Sequence, residues 1–323
     1  MDALSDVLRS VRMEGAVFLN AEFTGPWCVR SSFGLNNARQ QLPDGVHVVF
    51  FHLLVEGACH VRMIGAKQAI PLAVGDMILF PHDDQHLLGS DLQRTPMLSA
   101  NTLQGDARDG SQMVHLRLGN GEGESSRGVC GVVACARPLL RPLLDALPRM
   151  LHIPMRECSS AALLQELVRT GVTESTVARA GSASIRTRLA ELLFAEAMRA
   201  YAERLPPDGR GWLAGLRDAH VGRALALLHA DPGSAWTVDL LARKVGLSRS
   251  TLAERFAALV GKSPIQYLVG WRLALAAQAL QADHGTIARI AERSGYESEA
   301  SFSRAFKREF DMTPSAWRRH AMQ

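Results

Sequence analysis

Two sets of residues in this chain of 323 could do chemistry. The first is Cys28, His52, His86 and Cys130. Two imidazoles and two thiolates would suit tetrahedral zinc or another transition metal. Cysteines held near a cation would instead be low-pKa thiolates open to oxidation, which makes Cys28 and Cys130 a candidate redox pair as well. Both ideas need a fold that gathers four distant points of the chain. Against them stands an ordinary reading, since a free cysteine is often a small buried hydrophobe and a lone inward histidine is often only hydrogen-bonded. The second set comprises Arg249, Ser250, Ala253, Glu254, Lys262, Glu299, Ala300, Ser303, Arg304, Lys307 and Arg308. A guanidinium such as that of Arg304 can pair bidentately with guanine, a carboxylate can accept from a cytosine amino group, and lysine or arginine can hold phosphate.

The elements that position the second set are written twice. Thr237 and Thr286, Ala242 and Ala291, and Gly246 and Gly295 each recur at an offset of 49; Leu252 and Phe302, Phe256 and Phe306, Ser263 and Thr313, and Pro264 and Pro314 recur at 50. The slip of one residue falls just after a glycine turn, which chance repetition rarely produces. Each copy predicts a helix-turn-helix. Thr237 can cap a short helix carrying Leu240, Leu241 and Val245; Gly246 stops it, and Ser248 caps a second helix over 249–259. With Leu252 and Phe256 inward, Ser250, Ala253 and Glu254 face out; with Phe302 and Phe306 inward, Glu299, Ala300, Ser303 and Arg304 do so. Arg249, Lys262, Lys307 and Arg308 are better suited to a phosphate backbone. Between the copies, Tyr267, Leu268, Trp271, Leu275 and Leu280 predict one long helix over 265–281.

This layout, with Gly295-Tyr296-Glu297-Ser298, Phe302-Ser303-Arg304-Ala305-Phe306-Lys307-Arg308-Glu309-Phe310 and Thr313-Pro314, resembles the DNA-binding domain of AraC-type (AraC/XylS) transcription regulators over about 218–320. The resemblance implies a duplex DNA operator as partner, RNA polymerase as a second partner if the protein activates, and base-reading roles for the outward positions just named.

Charge and composition agree with that expectation. Residues 218–323 hold 14 Lys/Arg against 10 Asp/Glu, whereas 1–217 hold 22 of each, so the net charge of +4 lies wholly in the repeat region. No run reaches the roughly 18 apolar residues of a membrane span. The start lacks a basic and apolar leader pattern. Five cysteines without a framework fit a reducing cytoplasm.

From Ala16 to about Val133 the texture is short strands punctuated by turns at 25–26, 43–45, 74–76 and 81–84, which predicts a small β-barrel or jelly roll. Residues 75–86 place Gly75, Pro81 and His86 as in the second cupin motif, with Asp83 where that motif has glycine. The stretch resembles the cupin barrel used as a sensor in one branch of the same regulators. The first cupin motif is degraded: no His-x-His pair is present, and Phe50 stands where its glutamate belongs. In such a barrel His52 and His86 would point inward near the mouth, and Cys28 on an early strand and Cys130 on the last could approach them.

Helical texture resumes after Arg137, with predicted helices over 160–170 and 183–204, the latter carrying Ile185, Leu189, Leu192, Leu193, Ala197 and Tyr201 on one face. Either a second copy of the chain or the barrel itself could cover that face; operator halves are usually read by two subunits, which favours a homodimer with Leu189 and Leu193 near its centre. Residues 205–211 have the proline and glycine density of a linker.

The fold class expected is therefore α+β: a cupin-like sensor domain over 1–136, a helical connector and dimerisation region with linker over 137–211, and an all-α double helix-turn-helix domain over 212–323. The function expected is a sequence-specific regulator, not an enzyme, sensing a small molecule, metal or oxidant. The competing reading is a metal-dependent cupin oxygenase or isomerase with a helical appendage, which the missing His-x-His and glutamate disfavour.

Overall fold

The computed structural model describes residues 3–10, 13–31, 47–98, 114–119, 123–135, 137–176, 180–206, 209–282 and 285–320. The turn expected at 43–45 and residues 207–208 of the expected linker lie outside these. The chain divides into two compact units.

One unit holds the strands. Among the described residues these are β1 (Met13–Thr24), β2 (Cys28–Ser31), β3 (His47–Glu56), β4 (Cys59–Met63), β5 (Ile70–Leu72), β6 (Asp76–Phe80), β7 (His86–Gly89), β8 (Met97–Leu98), β9 (Val114–Leu118), β10 (Ser125–Cys135) and β11 (Leu151–Pro154). They form two sheets, in the orders β11-β6-β3-β10-β1-β9 and β5-β4-β7-β2-β8. Side chains alternate along a strand, so register decides which residues share a face. His52 lies opposite Cys130 and Ile78, and Phe50 opposite Val132 and Phe80. These pack with Val29, Val61 and Leu88 of the second sheet in one apolar core. The alternate residues of the larger sheet, Phe51, Leu53, Met77, Leu79 and Val129, are buried on its other face. There the helices α3 (Ala161–Thr176) and α4 (Ser182–Arg204), which follow the short α2 (Arg137–Leu144), pack against β1, β10 and β11. Burial on both faces explains why β3 reads as a nearly unbroken apolar run rather than an alternating one.

The face of α4 expected at a dimer centre has a different role. Leu189 and Leu193 are covered inside this unit, whereas Ile185 and Leu192 of α4, with Leu163 of α3, are exposed. The helix uses one stripe for its own sheet and leaves a second one open.

The other unit is helical. It contains α1 (Ala3–Ser10), α2, α5 (Trp212–Arg217), α6 (Ala219–Ala230), α7 (Val238–Val245), α8 (Arg249–Val260), α9 (Pro264–Ala282), α10 (Ile287–Arg293), α11 (Glu299–Phe310) and α12 (Pro314–His320). The expected connector 137–211 is thus not a body of its own. Residues 137–146 belong with the helical unit, through α2 packed on α9 and through an Arg141–Glu309 ion pair of 2.7 Å; residues 147–204 belong with the sheets. The described ends of the expected linker are also tied down: Gly211 N–H donates to the Leu259 carbonyl at 2.8 Å, and Arg217 donates to that of Leu205. The helix α1, expected with the barrel, contacts α2 and α6.

Candidate nucleic-acid interface and sensor site

Each helix-turn-helix is set by its caps. The hydroxyls of Thr237 and Thr286 accept from Leu240 and Arg289 N–H at the starts of α7 and α10; those of Ser248 and Ser298 accept from Thr251 and Ser301 N–H at the starts of α8 and α11. Leu252 and Phe256 of α8, and Phe302 and Phe306 of α11, are fully buried. The opposite faces are therefore presented outward. Ser250 and Glu254 on α8, and Glu299, Ala300 and Arg304 on α11, are exposed, with Ala253 and Ser303 half-buried beside them. Arg249, Lys262, Lys307 and Arg308 are exposed, and Arg249 meets Asp239 at 3.5 Å. Arg255 is otherwise engaged: it donates to Asp218, which itself caps α6.

The long helix α9 joins the two copies, and its Arg272 has a role that the sequence did not signal. Its Nε and one terminal nitrogen donate to the carbonyls of Pro232 and Ser234, at 2.5 and 2.7 Å, while its guanidinium lies under the turn at Gly295. One side chain thereby ties the approach to the first helix-turn-helix to the turn of the second.

In the sheet unit three of the four expected residues meet. His52 Nδ1 is 2.8 Å from Cys130 Sγ, and His52 Nε2 is 2.7 Å from His86 Nε2. The proton positions follow from the last link. His86 Nδ1 faces the Asp84 carbonyl at 2.9 Å, which can only accept, so His86 carries its hydrogen on Nδ1. Its Nε2 then accepts from His52 Nε2–H, and His52 Nδ1 accepts from the Cys130 thiol. The result is a one-directional chain, Cys130 to His52 to His86 to Asp84, satisfied without a charge. Burial enforces neutrality: it holds His52 well below the ordinary imidazole range and His86 down at about 4, and it pushes Cys130 up to about 12. The charge of His86 disfavours protonation of His52 further, and Cys59 disfavours the Cys130 thiolate.

Cys28 does not join them. Val29 and Ser31 of β2 stand opposite Leu88 and His86 on the inward face, which puts Cys28, opposite Gly89, on the other face with Arg62 and Asp91 as its charged neighbours. The cysteine that shares the interior is Cys59, in phase with Val61 on β4. The alternation of Cys59, Val61 and Met63 with His60 and Arg62 was the available signal.

The cupin resemblance implies a metal, and these residues do not fit one. Ligands must converge on a point, but Cys130 and His86 occupy opposite nitrogens of His52. Among the described residues no group of three His, Cys, Asp or Glu side chains is arranged to hold a metal ion. Among the described residues the space beside this chain is also small. Phe23, Trp27, Phe50 and Phe80 fill the core, and the cavity beside His52, Cys59 and Cys130 measures about 20 Å³, close to the space of one water.

Comparison with known proteins accounts for both units. A cupin family model matches residues 2–203, and a helix-turn-helix domain model matches 241–320. A putative AraC-like transcription regulator of Streptomyces lividans is 35% identical over 99% of both chains. Another, from Streptomyces antibioticus, is 33% identical over the full length of both. The HTH-type transcriptional regulator AlkR of Acinetobacter baylyi is 28% identical over 99% of this chain and 100% of its own. These relatives carry the names of transcription regulators, the class that the doubled helix-turn-helix led us to expect. Among the described residues no helix is long and apolar enough to cross a membrane. The chain belongs to the AraC family of DNA-binding transcription regulators, with a cupin-like N-terminal domain and a C-terminal helix-turn-helix domain.

Proposed function

We propose that this regulator reads its operator through two major-groove contacts, one from α8 and one from α11, and does so as a homodimer in the cytoplasm. The observation that carries the reading is the pairing of fully buried Leu252, Phe256, Phe302 and Phe306 with exposed polar faces at two capped helix N-termini, the ends that enter a groove. Ser250, Ala253 and Glu254 read one segment; Glu299, Ala300, Ser303 and Arg304 read the other; Arg249, Lys262, Lys307 and Arg308 hold phosphates. A signal acting on the cupin-like domain alters this binding or, in an activator, the approach of RNA polymerase. The open stripe of Ile185, Leu192 and Leu163 supports assembly of two copies through α3 and α4.

The test is binding of the full chain to duplex promoter fragments across a salt series. Affinity should fall steeply with salt as counterions are released. Arg304→Ala should cost about 1–3 kcal/mol on the preferred operator and relax selectivity at one base pair. Equal loss on every operator variant would reduce Arg304 to a phosphate contact, and salt-independent binding would remove the nucleic-acid reading itself.

A further inference from the structure

The face of β3 that turns away from His52 borders a larger space than the small cavity beside His52 and Cys130. A cavity of about 390 Å³ lies between the outer face of the larger sheet and the helices α3 and α4. That volume is in the range of small-molecule sites, roughly 300–1,000 Å³. Leu53, Met77 and Val129 from the sheet, and Leu164, Val168 and Leu193 from the helices, give it apolar walls. Its polar lining is one-sided. Arg127, Arg156 and Arg169 border it from three separate elements, with Asn20 and Gln165, and the described lining contains no aspartate or glutamate.

We infer that this cavity is the signal site, and that its ligand is a small amphipathic anion: an apolar body with one carboxylate, sulfonate or phosphate head. The inference deepens the proposed function, because it rests on the cupin-like domain being the sensor and names what that domain takes. The apolar walls gain by burying hydrocarbon, and the head group answers the guanidiniums of Arg127 and Arg169. Both have acid partners set outside the cavity, Arg127 with Glu56 at 3.3 Å and Arg169 with Glu166 at 2.9 Å. Both pairs are exposed, and exposed pairs are weak, on the order of 0–1 kcal/mol, so an anion anchored by its apolar body can displace the carboxylates. Arg156 differs, since it donates to the buried Asp76 and belongs to the wall. The location also explains how a ligand reaches regulation: it would wedge between the sheet and the helix pair whose other stripe carries Ile185, Leu192 and Leu163.

The experiment uses the full chain and two matched fluorescent probes, 8-anilino-1-naphthalenesulfonate and its neutral analogue N-phenyl-1-naphthylamine. One sulfonate per chain should bind, at least ten-fold more tightly than the neutral probe. Arg127→Ala with Arg169→Ala changes two solvent-exposed side chains and should weaken the sulfonate ten-fold or more while leaving the neutral probe unchanged. Ala161→Trp, which narrows the cavity at the start of α3, should weaken both. Equal affinity of the two probes, an unchanged sulfonate affinity in the arginine variant, or undiminished binding of both in Ala161→Trp overturns the site. If Ala161→Trp does not fold, the arginine variant and the probe pair still decide. DNA binding measured on the same preparations separates the two readings: probe results that overturn the site beside normal salt-dependent DNA binding remove only the site, and the converse removes only the DNA reading.

Discussion

A Cβ atom on Gly295 would lie 3.0 Å from a guanidinium nitrogen of Arg272, although Gly246, its counterpart in the first repeat, has open space at the same point. The two glycines share a backbone conformation, with φ of +78° and +76°. They are therefore an internal control on each other.

Gly246→Ala should cost only the strain of a left-handed alanine, about 1–2 kcal/mol. Gly295→Ala should cost more, because Arg272 must also give way and its bonds to Pro232 and Ser234 with it. Thermal or denaturant unfolding of the parent chain, Arg272→Ala, and each glycine variant in both backgrounds, six proteins in all, checks this. The excess cost of Gly295→Ala should vanish in the Arg272→Ala background; an excess that persists would mean that Arg272 does not bridge the two repeats.

The His52–His86 pair predicts an acid-labile fold. Both pKa values are depressed from the ordinary 6.5, chiefly by burial, with His86 at about 4. Between these pH values the unfolded chain binds more protons than the folded one, so stability is fully present above about pH 6.5 and is lost as pH falls toward 4. Each such histidine contributes a slope of at most about 1.4 kcal/mol per pH unit. His229 of the helical unit, its pKa lowered to about 4 by burial and its Nε2 2.7 Å from the Tyr267 hydroxyl, adds the same sign. The double variant His52→Leu with His86→Leu should flatten the pH dependence of unfolding in this window. An unchanged slope would show that the pair is not neutral in the folded state.

The helical unit was legible in the sequence because its determinants are local. Thr237, Ser248, Thr286 and Ser298 cap their own helices three residues on, and Leu252, Phe256, Phe302 and Phe306 mark their inward faces by spacing alone. The buried chain of Cys130, His52 and His86 was half legible. His52, His86 and Cys130 lie on strands whose inward phase the apolar neighbours reveal, and the alternation along β4 marks Cys59 in the same way, but excluding Cys28 needs the pairing of β2 with β7, which spans some sixty residues. The division of 137–211 had no local signal at all, since it depends on contacts such as Arg141 with Glu309, 168 residues apart. Likewise α4 carries two apolar stripes, and nothing in its own residues says which one its own sheet covers.

That ambiguity gives a prediction about assembly. Leu189→Asp or Leu193→Asp puts a charge into a buried site and should unfold the sheet unit, so it does not probe the interface. Ile185→Asp with Leu192→Asp changes only exposed positions and should leave the fold intact. Sedimentation should then show monomers where the parent chain is dimeric. A folded variant that stays dimeric would move the interface away from α4.

The last prediction concerns whether Cys130 acts as a hydrogen-bond donor or as a redox centre. A thiol buried and held near 12 is a poor nucleophile, because reaction needs the thiolate. Cys59 is buried and pushed up to about 12 for the same reason, and Cys28 is buried with its thiol raised. Cys158 is only half-buried, so among these four it should be alkylated first when the folded protein meets iodoacetamide, with sites read by peptide mapping. Substitution separates the two roles of Cys130. Cys130→Ser keeps an O–H for His52 Nδ1 and should leave stability within about 1 kcal/mol of the parent. Cys130→Ala leaves that nitrogen without a donor in a buried site and should cost about 1–3 kcal/mol. DNA binding should follow the same order, with serine close to the parent and alanine below it. If serine and alanine instead fail equally in a well-folded protein, and mild oxidation of the parent chain reproduces the defect, sulfur chemistry and not the hydrogen bond is what Cys130 provides.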